Sequence, residues 1–225
     1  MPVWPIFRPV AEHGLLVEFG AMIDRAIHAR VLRLDRALAA AAVPGVLEAV
    51  PAYAAILIRF DPRLTDHAAI EQAARGLLDV APEAPAAPVW HEVTVCYDAG
   101  LSPDLAAVAQ ATGLSPEQVI AAHLAGEYEV FMYGFAPGYA YLAGVPEAIR
   151  LPRKPSAQRD IPAGSVLIAG PQCLVSTLTM PTGWWIVGRS PTRILTGDPA
   201  RPFLFDPGDR VRFRRISRAV YEAQA

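Results

Sequence analysis

Lysine is almost missing from this chain: of its 20 basic residues 19 are arginine, and Lys154 is the exception. Net charge is −2, so no strong single-sign field draws the protein to nucleic acid or to a charged surface. The densest basic stretch is Arg210-Val-Arg-Phe-Arg-Arg215. Its alternation reads as a strand with one arginine-bearing face, a solvated edge rather than a nucleic-acid site. Cysteine is scarce as well. Cys96 and Cys173 stand alone, outside any CxxC or Cys/His spacing, and read as reduced, partly buried thiols. The five histidines, His13, His28, His67, His91 and His123, form no HExxH or HxH pattern, which argues against a zinc enzyme and leaves no metal cluster expected in this chain.

Long apolar runs are absent despite a mean hydropathy of +0.27. Ala37–Val43, mostly alanine, stops at Pro44, far short of the roughly 18–20 residues of a membrane span. Met1-Pro-Val-Trp-Pro5 lacks a basic segment followed by an apolar one, so the expectation is a cytoplasmic protein with no membrane partner. No GxxxxGK[ST], GxGxxG or GxSxG occurs, so a nucleotide, if bound, is not bound by a P-loop.

What is there divides in two. In residues 1–80, Leu15–Phe19 reads as a strand. Ile23, Ile27, Val31, Leu34 and Leu38 recur at helical spacing up to the alanines before Pro44. Val46–Val50 and Ala54–Phe60 read as a hairpin, and Asp66 as the cap of a helix from His67 to about Val80 whose inner face is Ile70, Ala73, Ala74, Leu77 and Leu78. Two helices on one face of these strands make a small α+β sandwich. Residues 81–88, with three prolines, form a semi-rigid linker. From 89 to 225 the pattern is mainly β. A strand at Val89–Tyr97 and two short helices, about Pro103–Ala111 and Pro116–Leu124 with Ser102 and Ser115 as caps, precede short apolar runs at 128–133, 164–169, 173–175, 184–187, 203–205 and 210–216. Such spacing without intervening helices argues for a closed or nearly closed barrel.

The most unusual stretch is Phe131–Leu142, with five aromatics, two glycines and a proline in a chain that is 8% aromatic. It is a shaped loop between strands, with Tyr133, Gly134, Phe135, Pro137, Gly138, Tyr139 and Tyr141 either lining a site or filling the core. Two further loops concentrate chemistry. Pro152–Pro162 carries Arg153, Lys154 and Arg159, suited to a carboxylate or phosphate or else simply solvated. Gly164, Ser165 and Gln172, with Trp184, Trp185 and Arg189 further on, offer approachable backbone and flat walls. Adjacent tryptophans on a strand face opposite ways, so at most one lines a given cavity. His123 falls near a helix C-terminus, where the dipole favours its protonated form; it is otherwise a plain helix-end histidine.

Gly134-Phe-Ala-Pro-Gly-Tyr-Ala-Tyr-Leu142, Ile161-Pro-Ala-Gly-Ser-Val-Leu-Ile-Ala-Gly170 and Gly183-Trp followed by Gly188-Arg-Ser-Pro191 resemble one family. It is that of the 5-oxoprolinase B component, also called allophanate hydrolase subunit 1 or the Kip kinase-inhibitor family, and the likeness spans nearly the whole chain. The resemblance implies an α+β N-terminal domain followed by a mainly β, cyclophilin-like barrel. It implies a C-type subunit with a related barrel and an A-type subunit as partners. ATP, with Mg at the level of the complex, would drive opening of a small amide or lactam, 5-oxo-L-proline, to L-glutamate. An unactivated amide is a poor electrophile, and phosphorylating its oxygen creates a leaving group, so this chain's share is positioning and charge stabilisation. Arg153, Lys154, Arg159, Arg189 and His123 are then the catalytic candidates. Tyr133, Gly134, Phe135, Pro137, Gly138, Tyr139, Tyr141, Gly164, Ser165, Gln172 and Trp184 are the substrate-binding ones.

The chain departs from the family pattern between Gln172 and Trp184. The family's Tyr-Pro pair is gone, Met180 replaces serine, Thr182 replaces glycine, and, in the central loop, Tyr139 replaces phenylalanine. Substrate identity therefore stays open. The same family contains two alternatives, a Kip-like inhibitor of a sensor histidine kinase and one half of a biotin-dependent urea or amide carboxyltransferase.

Overall fold

A computed structural model describes residues 3–79 and 87–225. The chain separates into two compact units at Ala87/Pro88. The linker expected over 81–88 lies, except for its last two residues, outside the described residues.

The first unit contains β1 (Ile6–Val10), β2 (Gly14–Glu18), α1 (Arg25–Ala41), β3 (Val46–Pro51), β4 (Ala55–Phe60) and α2 (His67–Asp79). Its sheet is antiparallel in the order β1-β2-β4-β3. β1 carries no clean apolar alternation and escapes a reading by periodicity; pairing with β2 from Ile6↔Glu18 to Val10↔Gly14 defines it. Asp24 caps α1, accepting from the amides of Ala26 and Ile27 at 2.8 and 3.0 Å, and Asp66 accepts from Ala69 N at 2.8 Å. Val31, Leu34 and Leu38 of α1 and Ile70 and Ala74 of α2 pack onto Leu15, Val17, Ile56, Ile58 and Phe60. Each large side chain fully buried there contributes about 1.5–3 kcal/mol of apolar transfer free energy.

The second unit contains β5 (Trp90–Val95), α3 (Leu105–Thr112), α4 (Pro116–Ala125), β6 (Tyr128–Tyr133), β7 (Ala140–Ala143), β8 (Gln158–Ile161), β9 (Ser165–Ala169), β10 (Gln172–Val175), β11 (Met180–Thr182), β12 (Trp185–Arg189), β13 (Arg210–Arg215) and α5 (Arg218–Gln224). Seven strands run in the order β12-β9-β10-β7-β6-β13-β5. The two ends meet: Cys96 N donates to Arg189 O at 2.8 Å and Arg189 N to Cys96 O at 2.9 Å, so the sheet closes on itself. Val93, Val130, Leu142, Val166, Ile168, Val175, Val187 and Phe213 fill the interior. β8 and β11 form a separate two-stranded ribbon.

Several expectations change. Ser115 caps α4 with a reciprocal Gln118 capping box, but Ser102 caps nothing. α3 starts two residues later than read, and the Ser102 hydroxyl donates to Tyr97 O at 2.7 Å instead. Phe203–Phe205 is no strand; Phe203 makes a single bridge to Leu195. The arginine strand β13 is not an edge, since it lies between β6 and β5. Arg210 pairs with Glu129 at 3.0 Å, Arg214 with Glu92 and Arg215 with Glu117, both at 2.7 Å, and Arg212 lies over Trp90 at 4.2 Å. Both thiols are fully buried rather than partly so. No described helix is long and apolar enough to cross a membrane.

Candidate functional site

Strand β9 is buried along its whole length because it serves two cores. Val166 and Ile168 face the barrel interior. Leu167 and Ala169 point outward, into a second apolar cluster with Leu174, Tyr139, Trp184 and Ile186. On this outer wall lies a cleft of about 130 Å³. Leu167 and Leu174 line it from the wall, with Phe135, Tyr139, Tyr141 and Trp184 supplying rings, and Pro181, Thr182, Gly183 and Arg153 completing it.

The hairpin loop between β6 and β7 shapes one side. Gly134 N donates to Tyr139 O at 3.2 Å and Tyr139 N to Ala136 O at 3.1 Å. Gly138 holds φ +73°, and a Cβ there would lie 2.8 Å from Leu195 Cδ2. Phe135 also adopts a left-handed φ, +71°, and the residue is 74% exposed. For a bulky residue that conformation costs about 1–2 kcal/mol. Its ring stands edge-on to Tyr139 at 5.7 Å.

The opposite side is pinned by the residue whose type is so rare here. Lys154 donates through Nζ to Asp104 Oδ2 at 2.5 Å and to Gln158 Oε1 at 2.6 Å, and its backbone N–H bonds Gly183 O at 2.7 Å. Asp104 Oδ2 also accepts from Ile186 N at 2.7 Å. The Lys154 and Asp104 side chains are only 9% and 10% exposed. Trp185 Nε1 donates to Pro152 O at 2.7 Å. Arg153 is thus held between two anchored neighbours, with its guanidinium 5.7 Å from the centre of the Trp184 ring. Trp184 is 5% exposed and meets Tyr141 edge-on at 5.9 Å. Trp185 faces the other way, against the main core. Burial pushes the Tyr139 phenol up to about 12. It raises Tyr141 too, against the opposing charge of Arg153. Both therefore stay neutral at pH 7 and can donate hydrogen bonds.

The cleft therefore gathers Phe135, Tyr139, Tyr141, Arg153 and Trp184 from the three loops singled out in the sequence. The other candidates stand elsewhere. Tyr133 stacks on Phe203 and donates its hydroxyl to Phe205 O at 2.8 Å. Gly134 sits at the base of the loop, and the Pro137 carbonyl accepts from Thr177 Oγ1 at 2.6 Å. Gly164 holds φ +80° in a turn where a Cβ would be 2.5 Å from Ser190 O. Ser165 is fully buried, its hydroxyl donating to Pro162 O at 2.7 Å. Gln172 pairs along its strand with Ala143 and Ala169. Arg159 is exposed on β8. Arg189 lies at the barrel closure with its Nε buried and, among the described residues, without a hydrogen-bond partner.

His123 requires a correction. It is fully buried, Nδ1 lies 2.7 Å from the Tyr97 hydroxyl and Nε2 3.7 Å from Cys173 Sγ. Desolvation lowers its pKa to about 3, so burial overrides the helix dipole and the ring is neutral and out of a ligand's reach. Lys154, read as a free positive charge, is spent on Asp104. Sequence reasoning missed Asp104 altogether, although a lone lysine between prolines needs a counter-ion once buried. It also left Thr182 and Gly183 out of the site; their place in the departing segment was the available signal. Among the described residues no three His, Cys, Asp or Glu side chains converge as a metal site.

Residues 5–205 match the family described as carboxyltransferase domain, subdomain C and D. The chain is 33% identical to the 5-oxoprolinase B component of Bacillus subtilis (strain 168), covering 95% of this chain and 94% of that one. To the 5-oxoprolinase B component of Escherichia coli O157:H7 it is 37% identical, covering 91% and 93%. The solved structure of TTHA0988 matches with a TM-score of 0.81 at 38% identity over 91% of this chain, which spans 40% of that longer chain. The urea amidolyase of Kluyveromyces lactis shares the fold, with a TM-score of 0.79 at 16% identity over 96% of this chain and 15% of that one.

Proposed function

The chain belongs to the family of 5-oxoprolinase B components, built on carboxyltransferase subdomains C and D, and on that premise we propose that it is the B component of an ATP-dependent 5-oxoprolinase. It acts in the cytoplasm with a C-type and an A-type subunit, opening 5-oxo-L-proline to L-glutamate. The observation that carries this reading is the single guanidinium of Arg153 beside a ring-walled cleft. 5-Oxoproline is a small flat ring bearing one carboxylate. Arg153 takes the carboxylate as a fork, and Tyr139, Tyr141 and Trp184 take the faces and edges of the lactam. Thr182 Oγ1 accepts from Trp184 N at 3.1 Å, which leaves its proton to donate toward the lactam carbonyl. Orientation of the amide oxygen for phosphorylation is then this chain's contribution.

The residues present here do not fit ATP with Mg. The described residues bring no carboxylate cluster together, and Arg153 is the one cation among the residues lining the cleft. ATP is accordingly assigned to the partner subunits, and no step in this chain runs through it. The test is to purify the chain in complex with its C-type and A-type subunits, supply ATP and 5-oxoproline, and measure glutamate. Turnover supports the assignment; an intact complex without turnover sinks it.

A further inference from the structure

A second cavity, about 300 Å³, opens where the turn at Ala163–Gly164 meets the segment following β12. Neither Arg153 nor any cleft ring lines it, and the lactam reading makes no use of it. The Pro137–Gly138 turn separates the two: Phe135 and Tyr139 face the cleft, whereas Thr177 and Leu195, which hold the turn from behind, face the cavity.

The cavity collects unspent donors. Ser190 is 3% exposed, and its hydroxyl accepts from Thr192 N at 3.1 Å, leaving its own proton to donate. Thr192, Tyr221 and Arg193 also line the cavity, and none of their side chains has a hydrogen bond or ion pair among the described residues. By contrast Ser176 and Thr177, on the same wall, are spent on the carbonyls of Pro162 and Pro137. Of these groups only Ser190 is buried; Thr192 and Tyr221 are half-buried and Arg193 is exposed, so their polar atoms are open to a ligand arriving from solvent. Arg193 is the one side-chain charge in the lining, and Ile194 and Leu195 supply apolar wall beside it. One fork-shaped cation suits one carboxylate, and the apolar wall suits a carbon body rather than a bare inorganic ion.

We propose that this cavity is a binding site for a small organic carboxylate, its charge on Arg193, Ser190 and Thr192 and its apolar body against Ile194 and Leu195. The inference does not rest on the lactam reading. The test is a titration of the isotopically labelled full chain with acetate, butyrate and 4-methylpentanoate, and separately with inorganic phosphate, following backbone amides by NMR. Shifts should centre on Thr192–Leu195, with affinity rising roughly fourfold per buried methylene. Arg193→Gln, at an exposed position, should weaken binding about tenfold, Ser190→Ala should weaken it less, and Arg153→Ala should leave it unchanged. Undiminished binding in Arg193→Gln overturns the proposal, as does a response centred on Tyr139–Tyr141 or lost in Arg153→Ala. So does binding of phosphate without the carboxylates, or no saturable response to any carboxylate. Carboxylate binding at the Arg153 cleft would speak for the lactam assignment and not for this cavity, and loss of binding in Arg193→Gln leaves that assignment untouched.

Discussion

Lys154→Met isolates the strut that holds Arg153 over its ring. The substitution keeps most of the side-chain volume and removes the ammonium, leaving the Asp104 carboxylate 10% exposed with one remaining hydrogen bond, from Ile186 N. Breaking a buried pair from one side costs about 3–5 kcal/mol. With a urea m-value of about 2 kcal/mol/M, the midpoint should fall by about 1.5–2.5 M. Three of the four tryptophans, Trp90, Trp184 and Trp185, lie in the second unit, so fluorescence-monitored urea unfolding reads this unit predominantly. The double variant Lys154→Met, Asp104→Asn removes both charges but keeps an acceptor for Ile186 N. It should recover stability to within about 1–2 kcal/mol of the parent. A single Lys154→Met variant within about 0.5 kcal/mol of the parent, or a double variant no better than the single, would refute the strut.

Two further outcomes follow from the same geometry. His123 has a folded pKa of about 3 against an unfolded value near 6.5, so its contribution is complete above about pH 6.5 and lost as pH falls toward 3. The slope is about 1.4 kcal/mol per pH unit inside that window; His123→Gln should flatten it in pH-dependent urea melts, and an unchanged acid limb would discount the buried ring. Phe135→Gly should relieve left-handed strain, leaving thermal stability level or raised by about 1 kcal/mol, while weakening 5-oxoproline use by the complex. A destabilised variant with unaltered KM would remove Phe135 from the site.

Much of the architecture was legible because it rests on local chemistry. Helix α1 follows from its 3.6-residue apolar spacing, α4 from Ser115-Pro116 with Gln118, and the hairpin β3–β4 from alternation broken by Asp61-Pro62. The misses have physical causes. β8 and β11 pair with each other across the intervening β9 and β10 and carry little apolar signal of their own, whereas β1 pairs with its neighbour β2 but has its apolar run broken by Arg8 and Pro9. Phe203–Phe205 has the signal but no strand beside it. For the site, the aromatic loop and Arg153 could be named from composition, because glycine, proline and ring side chains announce a shaped surface. The fate of the charged groups could not. Lys154 and Asp104 are 50 residues apart, and only the folded barrel reveals that one neutralises the other. The same holds for His123, whose position at a helix end suggests a proton that burial among Tyr97, Tyr128 and Phe213 removes. Whether the departing segment matters to a ligand was open in the sequence; folded, Pro181, Thr182 and Gly183 line the cleft.

The central claim is that Arg153 receives the carboxylate of the lactam, and steady-state glutamate formation by the complex carrying Arg153→Ala tests it most directly. A charge-assisted fork in a half-open cleft is worth about 1.5–3 kcal/mol. The variant should therefore raise KM for 5-oxoproline about ten- to a hundredfold, with kcat changed far less, because the contact is equally present before and during reaction. An unchanged KM in an intact complex would contradict the account.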